Sequence, residues 1–235
     1  PYEMVSGGTI DSGEIDQLFE AAMIQADVAG FNSRRAQSDT ENKLRGIGFG
    51  MYLEQCGGGT DDGVDIEFQD DGQLILYGSQ QCNGQGHRTT VTQILSDRLG
   101  YDADLIYVHQ GDSNRSPRGT TGGARMTAIL GSATAKAAAT IIDTATPLAA
   151  DIMDCDVNAL VFSDGFFWLK DTNRSLAIED LVRHLAKPGQ KHQLNCALSY
   201  ETDGATYPYG CHVVEVEIDK VTCAVEIARY SVVDD

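Results

Sequence analysis

The segment from Gly78 to Thr90, GSQQCNGQGHRTT, carries residue types that could hold a phosphate-bearing ligand. The run Leu74 to Tyr77 before it predicts a buried strand, and apolar residues at helical spacing after it predict a helix capped by Thr89 or Thr90. The loop would then present free backbone N–H groups at a helix start, which attracts anions. Its glycines let a ligand approach the backbone, and Gln85 between them can donate and accept hydrogen bonds.

A glycine-rich turn between a strand and a helix often serves only to reverse the chain, and the loop taken alone favours this structural interpretation. The segment lacks the Gly-Lys-Ser/Thr end of a P-loop. The glycines at 84 and 86 also lack the third glycine that would complete a dinucleotide fingerprint. The choice between a binding loop and a structural turn therefore depends on the rest of the chain.

Composition excludes several classes of protein. The 235 residues suffice for one large domain or two small ones, and 17 basic against 35 acidic residues give a net charge of −18. This acidity argues against binding to nucleic acid or to an anionic membrane. Without a long apolar run or a signal peptide, we expect a cytoplasmic protein that spans no membrane, and the start at Pro1 suggests a processed or excerpted chain.

The six cysteines show no Cys-x-x-Cys spacing. Free thiols in a reducing compartment are therefore expected rather than disulfides or a structural zinc site.

Alternating and apolar runs predict strands at 46–54, 64–68, 74–77, 103–108, 159–162, 166–169, 210–218 and 224–230. Helical spacing predicts helices from residue 14 to about 30, from 89 to about 100, from 124 to 146 and from 175 to 186, and Pro147 is expected to follow the end of the third. A polar stretch lies between residues 32 and 42. Strands mixed with helices in this way predict an α+β fold of mixed sheets with packed helices.

A second glycine-rich segment, GTTGGARM, runs from Gly119 to Met126. It follows the predicted strand at 103–108 and precedes the alanine-rich helix, so Gly122 and Gly123 lie at another helix start. Two loops of the same kind are therefore available to one ligand.

Five ordered segments together resemble the large, molybdopterin-binding subunit of the molybdenum hydroxylases, the family of xanthine dehydrogenase, aldehyde oxidase and aerobic carbon monoxide dehydrogenase. The segments are 2–13 (YEMVSGGTIDSG), 44–59 (LRGIGFGMYLEQCGGG), 79–93 (SQQCNGQGHRTTVTQ), 110–127 (QGDSNRSPRGTTGGARMT) and 207–235 (YPYGCHVVEVEIDKVTCAVEIARYSVVDD). They cover nearly the whole chain. A single Gly-Gln-Gly is a weak signal, whereas five blocks in order are specific.

The resemblance implies that both glycine-rich segments line part of a molybdopterin site. On the first wall, the resemblance implies contacts to the pterin or its pyrophosphate from Asn83, Gly84, Gln85 and Gly86. Gln85 would be the main side-chain ligand. On the second wall it implies mostly backbone contacts, from Gly122, Gly123, Ala124, Arg125 and Met126. Many relatives carry hydroxyl side chains where Ala124 and Met126 stand, so this chain has fewer donors there.

The same resemblance implies a domain order. Residues 1–43 would be a helix and linker from a preceding domain, and residues 44–235 a second molybdopterin-binding domain that is incomplete at its C-terminus. The chain is expected to stop before the family's catalytic glutamate and to lack the domain that carries substrate-orienting side chains. We therefore assign no catalytic residue and no metal ligand, and we expect little or no turnover from the isolated chain.

The complete protein is expected to oxidise an aldehyde or an N-heterocycle with oxygen from water. Its cofactor would be molybdopterin, and the cytosine dinucleotide is one candidate form of this cofactor. Its partners would be iron–sulfur (2Fe-2S) and flavin (FAD) subunits or domains and the remaining molybdopterin-binding domain, in a dimeric assembly. The alternatives are a structural or interaction module that has lost cofactor binding, and a generic binder of nucleotide phosphates.

Three further features have structural interpretations that we favour. His87 is expected to hold the loop through a hydrogen bond, since the sequence offers it no nucleophile or carboxylate partner. Asp61, Asp62 and Asp65 lack the spacing of a calcium loop, so a solvated turn is expected. Cys82 is expected to be a small packing residue.

Overall fold

The computed structural model describes residues 2–5, 7–10, 13–56, 61–112, 114–115, 119–202 and 204–235. The chain divides into two compact units. The first combines residues 1–56 with residues 205–235, and the second comprises residues 57–204. Both glycine-rich segments belong to the second unit. Among the described residues, no helix is long and apolar enough to cross a membrane.

Strands and helices alternate along the chain, which confirms the predicted α+β class. The strands are β1 (Tyr2–Glu3), β2 (Thr9–Ile10), β3 (Lys43–Leu53), β4 (Asp61–Phe68), β5 (Leu74–Gly78), β6 (Ile106–Gln110), β7 (Leu160–Ser163), β8 (Phe166–Leu169), β9 (Ser175–Ala177), β10 (Cys196–Glu201), β11 (Tyr209–Asp219) and β12 (Val225–Asp234). The α-helices are α1 (Ile15–Gln25), α2 (Phe31–Thr40), α3 (His87–Leu99), α4 (Ser132–Met153) and α5 (Ile178–Leu185).

The first unit is built on an antiparallel sheet of order β12-β11-β3. Helix α1 covers part of it and buries Leu18 and Ala22 together with Cys211 of β11. Glu215, also on β11, is only 1% exposed and receives Arg34 of α2 at 2.6 Å and Arg45 of β3 at 2.7 Å. Hydrogen bonds from Arg34, and then the charges of both arginines, lower the pKa of Glu215. This ion cluster anchors α2, the segment that the sequence showed only as a polar stretch.

The second unit is built on a four-stranded sheet of order β10-β4-β5-β6. Strands β5 and β6 are parallel and are joined through α3, whereas β4 pairs antiparallel with both of its neighbours. Strand β4 buries Val64, Ile66 and Phe68, and α3 contributes Val91, Leu95 and Leu99 to the same core. Each such side chain, when fully buried, contributes roughly 1.5–3 kcal/mol. The sheet therefore fixes where β5 ends and α3 begins, which is the position of the first glycine-rich segment.

Helix α4 passes through Pro147 and continues to Met153, so the prediction that the helix ends before this proline was wrong. Proline removes one backbone hydrogen bond from a helix and costs about 3 kcal/mol in an ordinary interior position. The turn beyond it buries Ala149, Ala150 and Met153 in the core. Burial of this apolar face offsets the cost, a tertiary effect that local sequence cannot report.

Other departures from the predictions also have tertiary causes. Strand β3 was expected to be buried, yet most of its residues are exposed because it is an edge strand of its sheet. Strand β10 had no clear alternating signal and is held by its pairing with β4. The predicted helix entry at Asp11 and Ser12 lies outside the described residues, and Glu14 at the N-cap of α1 makes no side-chain capping bond.

A close backbone crossing connects the end of α3 to the β7–β8 hairpin. Gly100 caps α3 at φ 61°, and a Cβ there would lie closer than 3.0 Å to backbone atoms of Gly165. Only glycine fits both the left-handed conformation and this contact. The hairpin itself was predicted from Ser163-Asp164-Gly165 and is confirmed.

Candidate functional site

The first glycine-rich segment connects β5 to α3, as predicted, but the helix begins earlier than expected. Gly86 is the N-cap of α3 at φ 77° and ψ 25°, and His87 is the first helical residue. The prediction that Thr89 or Thr90 caps the helix was therefore wrong. Thr90 instead donates a hydrogen bond from Oγ1 to the carbonyl of Gly86 at 3.3 Å. A glycine N-cap leaves the first backbone N–H groups of α3 without a side-chain cap.

The loop before the helix folds on itself through local hydrogen bonds. The backbone N–H of Asn83 donates to Oε1 of Gln85 at 2.5 Å, which leaves the amide nitrogen of Gln85 directed away from this bond. Asn83, Gly84, Gln85 and Gly86 are all exposed. Gly84 and Gly86 both have positive φ, and a Cβ on either would meet nothing within 4 Å. The glycines are thus required by backbone conformation, and their outer surface is open to a ligand.

Cys82, expected to be a small packing residue, lies beside the loop. Its side chain is half-buried, and Sγ accepts a hydrogen bond from the backbone N–H of Gly84 at 3.4 Å. Hydrogen bonds from backbone N–H groups, first that of His87 and then that of Gly84, lower the pKa of Cys82. The lowered pKa of this thiol shows that the start of α3 favours negative charge.

The second glycine-rich segment turns sharply before α4. Gly123 and Ala124 adopt φ of 54° and 52°, and the N–H of Arg125 donates to the carbonyl of Gly122 at 3.3 Å. Alanine is rarely found in this left-handed region, so Ala124 is a strained residue. A π-helical turn, Thr127–Gly131, then leads into α4. Such turns are frequent at functional sites.

The two segments face each other across a cleft of about 380 Å³. Its lining includes most of the predicted site: Gln85 from the first segment, and Gly122, Gly123, Ala124, Arg125 and Met126 from the second. Sequence reasoning did not assign Thr90, Thr121 and Thr127, which also line it, or His87 as a ligand-facing residue. A volume in this range suits part of a small-molecule cofactor.

Gly84 and Gly86 line a separate cleft of about 450 Å³, together with Cys82, Arg88 and Gln110. The nine predicted residues are therefore not one continuous surface. Gln85 turns toward the second segment, whereas its flanking glycines face the other way. Asn83 lies on the exposed outer part of the loop.

Two buried side chains in the first cleft have incomplete hydrogen bonding. His87 is 3% exposed and Arg125 is 2% exposed. Among the described residues, Nδ1 of His87 and Nε of Arg125 have no hydrogen-bond partner. Arg125 donates elsewhere, from a terminal nitrogen to the backbone carbonyl of Asp61. Nδ1 of His87 therefore does not make the hydrogen bond that was expected to hold the loop.

The region below the cleft contains a buried carboxylate. Asp62 lies in β4 and is 1% exposed, so the prediction of a solvated turn at Asp61 to Asp65 was wrong. Burial raises the pKa of Asp62, against hydrogen bonds from Gln80, Gly63 and Ser79 and the charge of Arg125. Within the described ranges, no group of three or more His, Cys, Asp or Glu side chains is placed to hold a metal ion.

These features define an α+β domain with an anion-attracting cleft between two glycine-rich helix starts. The fold and the cleft together are those of a domain that can bind a small molecule. The unpaired Nδ1 and Nε atoms and the backbone N–H groups are donors that suit a phosphate or a pterin carbonyl.

Comparisons with known proteins identify the ligand class. Residues 21–235 match the family described as molybdopterin cofactor-binding domain. The chain belongs to this family. It is 28% identical over 255 residues to the carbon monoxide dehydrogenase large chain of Hydrogenophaga pseudoflava. The matched region covers 100% of this chain and 32% of that protein.

Solved structures agree. The fold is similar to that of reconstituted CO dehydrogenase from Oligotropha carboxidovorans, with a TM-score of 0.82, 26% identity, and coverage of 97% of this chain and 31% of that one. It is also similar to quinoline 2-oxidoreductase from Pseudomonas putida 86, with a TM-score of 0.81, 22% identity, and coverage of 98% and 32%. The chain thus spans about a third of the length of these relatives. The predicted resemblance to molybdenum hydroxylase large subunits is confirmed.

Proposed function

We propose that the cleft between Gln85 and the segment Gly122 to Met126 holds the phosphate-bearing part of molybdopterin. The observation that carries this proposal is that His87 and Arg125 both line this cleft, while Nδ1 of His87 and Nε of Arg125 are buried and have no hydrogen-bond partner among the described residues. A buried polar atom without a partner costs about 1–3 kcal/mol. An anionic ligand that accepts hydrogen bonds from both nitrogens removes this cost and gains charge-assisted bonds with Arg125.

The surrounding groups would complete the grip. The amide nitrogen of Gln85 reaches the cleft from one side, and the backbone of Gly122 and Gly123 approaches from the other because neither residue carries a side chain. The start of α3 adds a favourable dipole for negative charge, worth roughly 0.3–1 kcal/mol. When bound, the cofactor would supply the molybdenum centre for oxidation of the substrate, and these residues would bind and orient it.

The second cleft supports a dinucleotide form of the cofactor. It lies on the other face of the same loop, is lined by Gly84 and Gly86, and carries the cation of Arg88. A cofactor that extends past Gln85 would place a further polar group beside Arg88. We propose the cytosine dinucleotide form on this ground, with Asn83 at the exposed turn between the two clefts.

For the complete protein, we propose a molybdenum hydroxylase that oxidises an aldehyde or an N-heterocycle with oxygen from water. Electrons would leave through iron–sulfur and flavin subunits or domains, and the remaining molybdopterin-binding domain would close the site. We further propose a dimeric assembly in the cytoplasm, and the six free cysteines suit such a reducing compartment. The domain boundary near residue 43, an inactive isolated chain and a catalytic glutamate outside it remain parts of this proposal.

One observation favours a second candidate, a module of the same fold that has lost cofactor binding. Ala124 offers the cleft no side-chain donor, and Met126 is 7% exposed and contributes to the hydrophobic core. Neither of these two positions therefore offers a hydroxyl donor to the cofactor. The two candidates differ in whether the purified protein contains a pterin.

The experiment is quantification of pterin in the natively purified full-length polypeptide, in parallel with Gln85→Ala and Gln190→Ala. Gln190 is an exposed glutamine on another surface of the second unit and serves as the matched control. We expect pterin in the wild type and the control, and roughly tenfold less in Gln85→Ala, the factor expected for about 1.4 kcal/mol of lost hydrogen bonding. Equal pterin in all three proteins contradicts the assigned role of Gln85, and pterin in none of them supports the second candidate.

A further inference from the structure

Asp62 lies beneath both walls of the cleft and contacts each of them. On the side of the first segment, Nε2 of Gln80 donates to Oδ2, and the hydroxyl of Ser79 donates to Oδ1 at 3.5 Å. The backbone N–H of Gly63 donates to Oδ1 at 2.9 Å. Three donors from the strand and the loop thus converge on one buried carboxylate.

The second segment rests directly on the same carboxylate. Gly119 opens this segment, and a Cβ at Gly119 would lie closer than 3.0 Å to Oδ1 of Asp62 and to the hydroxyl of Ser79. The absence of a side chain at Gly119 is therefore what lets the backbone of the second segment lie against Asp62. Farther along this segment, the positive charge of Arg125 acts on Asp62.

The ionised form of Asp62 is the form that these contacts suit. An ionised carboxylate only accepts hydrogen bonds, and the bonds from Gln80, Gly63 and Ser79 and the charge of Arg125 all favour it, but burial of the carboxylate is the larger effect and raises its pKa. A proton on Asp62 would remove one acceptor site and weaken the interaction with Arg125. Hydrogen bonds to a charged group are stronger than those to a neutral one, so the protonation state affects how firmly both segments are held.

We propose that Asp62 is a positioning residue: its carboxylate ties the two glycine-rich segments to β4 and so sets the separation of the walls that bind the cofactor. The link to the cofactor rests on the proposed function. Asp62 itself does not line the cleft. It acts through Gln80 on one side, and through Gly119 and Arg125 on the other.

The proposal implies a dependence on pH. The charged and titratable groups that face Asp62 or its strand are Arg125 from the second segment, Asp61 beside it in β4, and Tyr200 and Glu201, which pair with Asp62 and Asp61 across β10. Lys136 of α4 lies over the ring of Tyr200 at 5.6 Å. Because burial raises the pKa of Asp62 above 3.8, its ionisation is lost at a higher pH than that of an ordinary aspartate. The closed arrangement thus binds a proton on Asp62 more tightly than an opened one does, so both segments should become more firmly held together as the pH falls through that point.

The test compares the full-length wild type with Asp62→Asn, Asp61→Asn and Gly119→Ala. Asp61 is the matched control, since its side chain is exposed and only its backbone carbonyl receives Arg125. The primary measurement is amide hydrogen exchange of the segments at 80–87 and 119–126 in cofactor-free protein, expressed as protection factors across a pH series. We expect wild-type protection of both segments to rise in parallel as the pH falls through the raised pKa of Asp62, and the Asp61→Asn profile to be the same as that of the wild type.

In Asp62→Asn, we expect protection of both segments to be lower roughly tenfold to a hundredfold and to show no acid step. In Gly119→Ala, the added methyl group meets Asp62 and the hydroxyl of Ser79 as well as its own segment, so both segments should lose protection. Wild-type segments that do not respond to pH in parallel would overturn the proposal even if Asp62→Asn does not fold. So would an Asp62→Asn protein with the protection and pH profile of the wild type.

A second measurement, the rate of pterin release from the purified protein, separates this inference from the proposed function. We expect faster release from Asp62→Asn than from Asp61→Asn, by the same factor as the loss of protection. If the wild type contains no pterin, the proposed function fails, while the exchange measurement still decides whether Asp62 joins the two segments. If pterin is present and its release is unchanged in Asp62→Asn, the positioning role is wrong and the cofactor assignment stands.

Discussion

Ala124 gives a test of backbone strain at the cleft, because the same substitution should have opposite effects there and in a helix. Ala124 is exposed at φ 52°, whereas Ala139 is exposed in the interior of α4. A left-handed conformation costs an L-residue about 1–2 kcal/mol, and the greater chain entropy of unfolded glycine offsets about 0.5–1 kcal/mol of the relief. Ala124→Gly should therefore raise the free energy of unfolding by about 1 kcal/mol, and Ala139→Gly should lower it by about 1 kcal/mol.

The assay is urea denaturation of both variants and the wild type, with thermal unfolding as a second measurement. One kcal/mol corresponds to a shift in Tm of about 2–4 °C for a protein of this size. Both residues lie in the second unit and neither side chain is buried, so lost packing cannot account for a difference in sign. Destabilisation by Ala124→Gly equal to that by Ala139→Gly would refute the strained conformation of the second segment.

Three other predictions concern thiol reactivity, backbone packing and pH. Cys82 has a lowered pKa and Cys211 a pKa raised by burial, so iodoacetamide should label Cys82 first in time-resolved mass spectrometry; equal rates would contradict this. Gly100→Ala should destabilise the fold by about 3 kcal/mol because its Cβ would overlap backbone, whereas Gly189→Ala, at φ 73° with nothing within 4 Å, should cost only about 1 kcal/mol in denaturant titrations. Because the pKa of Glu215 is lowered, its ionisation stabilises the fold above its unfolded pKa of about 4.5, and this contribution is lost as the pH falls through the lower folded value. Glu215→Gln should therefore make the free energy of unfolding less dependent on pH in this acidic range. An unchanged dependence would contradict the prediction.

Local patterns predicted much of the second unit. Alternation in β4 and β5 around the Asp70-Asp71-Gly72 turn predicted a hairpin, which the antiparallel pairing confirms. The β7–β8 hairpin was predicted in the same way. These elements depend on neighbouring residues and on turn chemistry, which a sequence displays directly. The position of the Gly-Gln-Gly loop between a strand and a helix was predictable for the same reason.

Features that depend on distant residues were not predictable. Helix α4 continues through Pro147 because the next turn is buried, and α2 forms from a polar stretch because Arg34 reaches Glu215 on a strand near the other end of the chain. The spacing of Asp61, Asp62 and Asp65 indicated a solvated turn, whereas the carboxylate of Asp62 is buried and the backbone of Gly119 lies close to it. No local pattern reports a contact between residues so far apart in sequence.

Most of the predicted residues do line a cleft, but the sequence did not show that they face two different clefts. Gln85 and the segment Gly122 to Met126 lie together, yet Gly84 and Gly86 face a different cleft, because alternate residues of the loop point to opposite sides. His87 was interpreted as a structural residue, and the structure adds that it lines the cleft with a buried ring nitrogen that has no partner among the described residues. Burial and hydrogen-bond satisfaction are properties of the folded chain, so they could be recognised only in the structure.

The central claim is that the two unpartnered buried nitrogens of the cleft receive the cofactor's anionic part. A crystal structure of the cofactor-loaded full-length polypeptide tests it most directly, through the distances from Nδ1 of His87 and Nε of Arg125 to the nearest cofactor oxygen. The proposal predicts hydrogen-bond distances, about 2.7–3.2 Å, from both atoms, with Gln85 also in contact. Cofactor density away from this cleft, with both nitrogens still unpartnered, would contradict the claim.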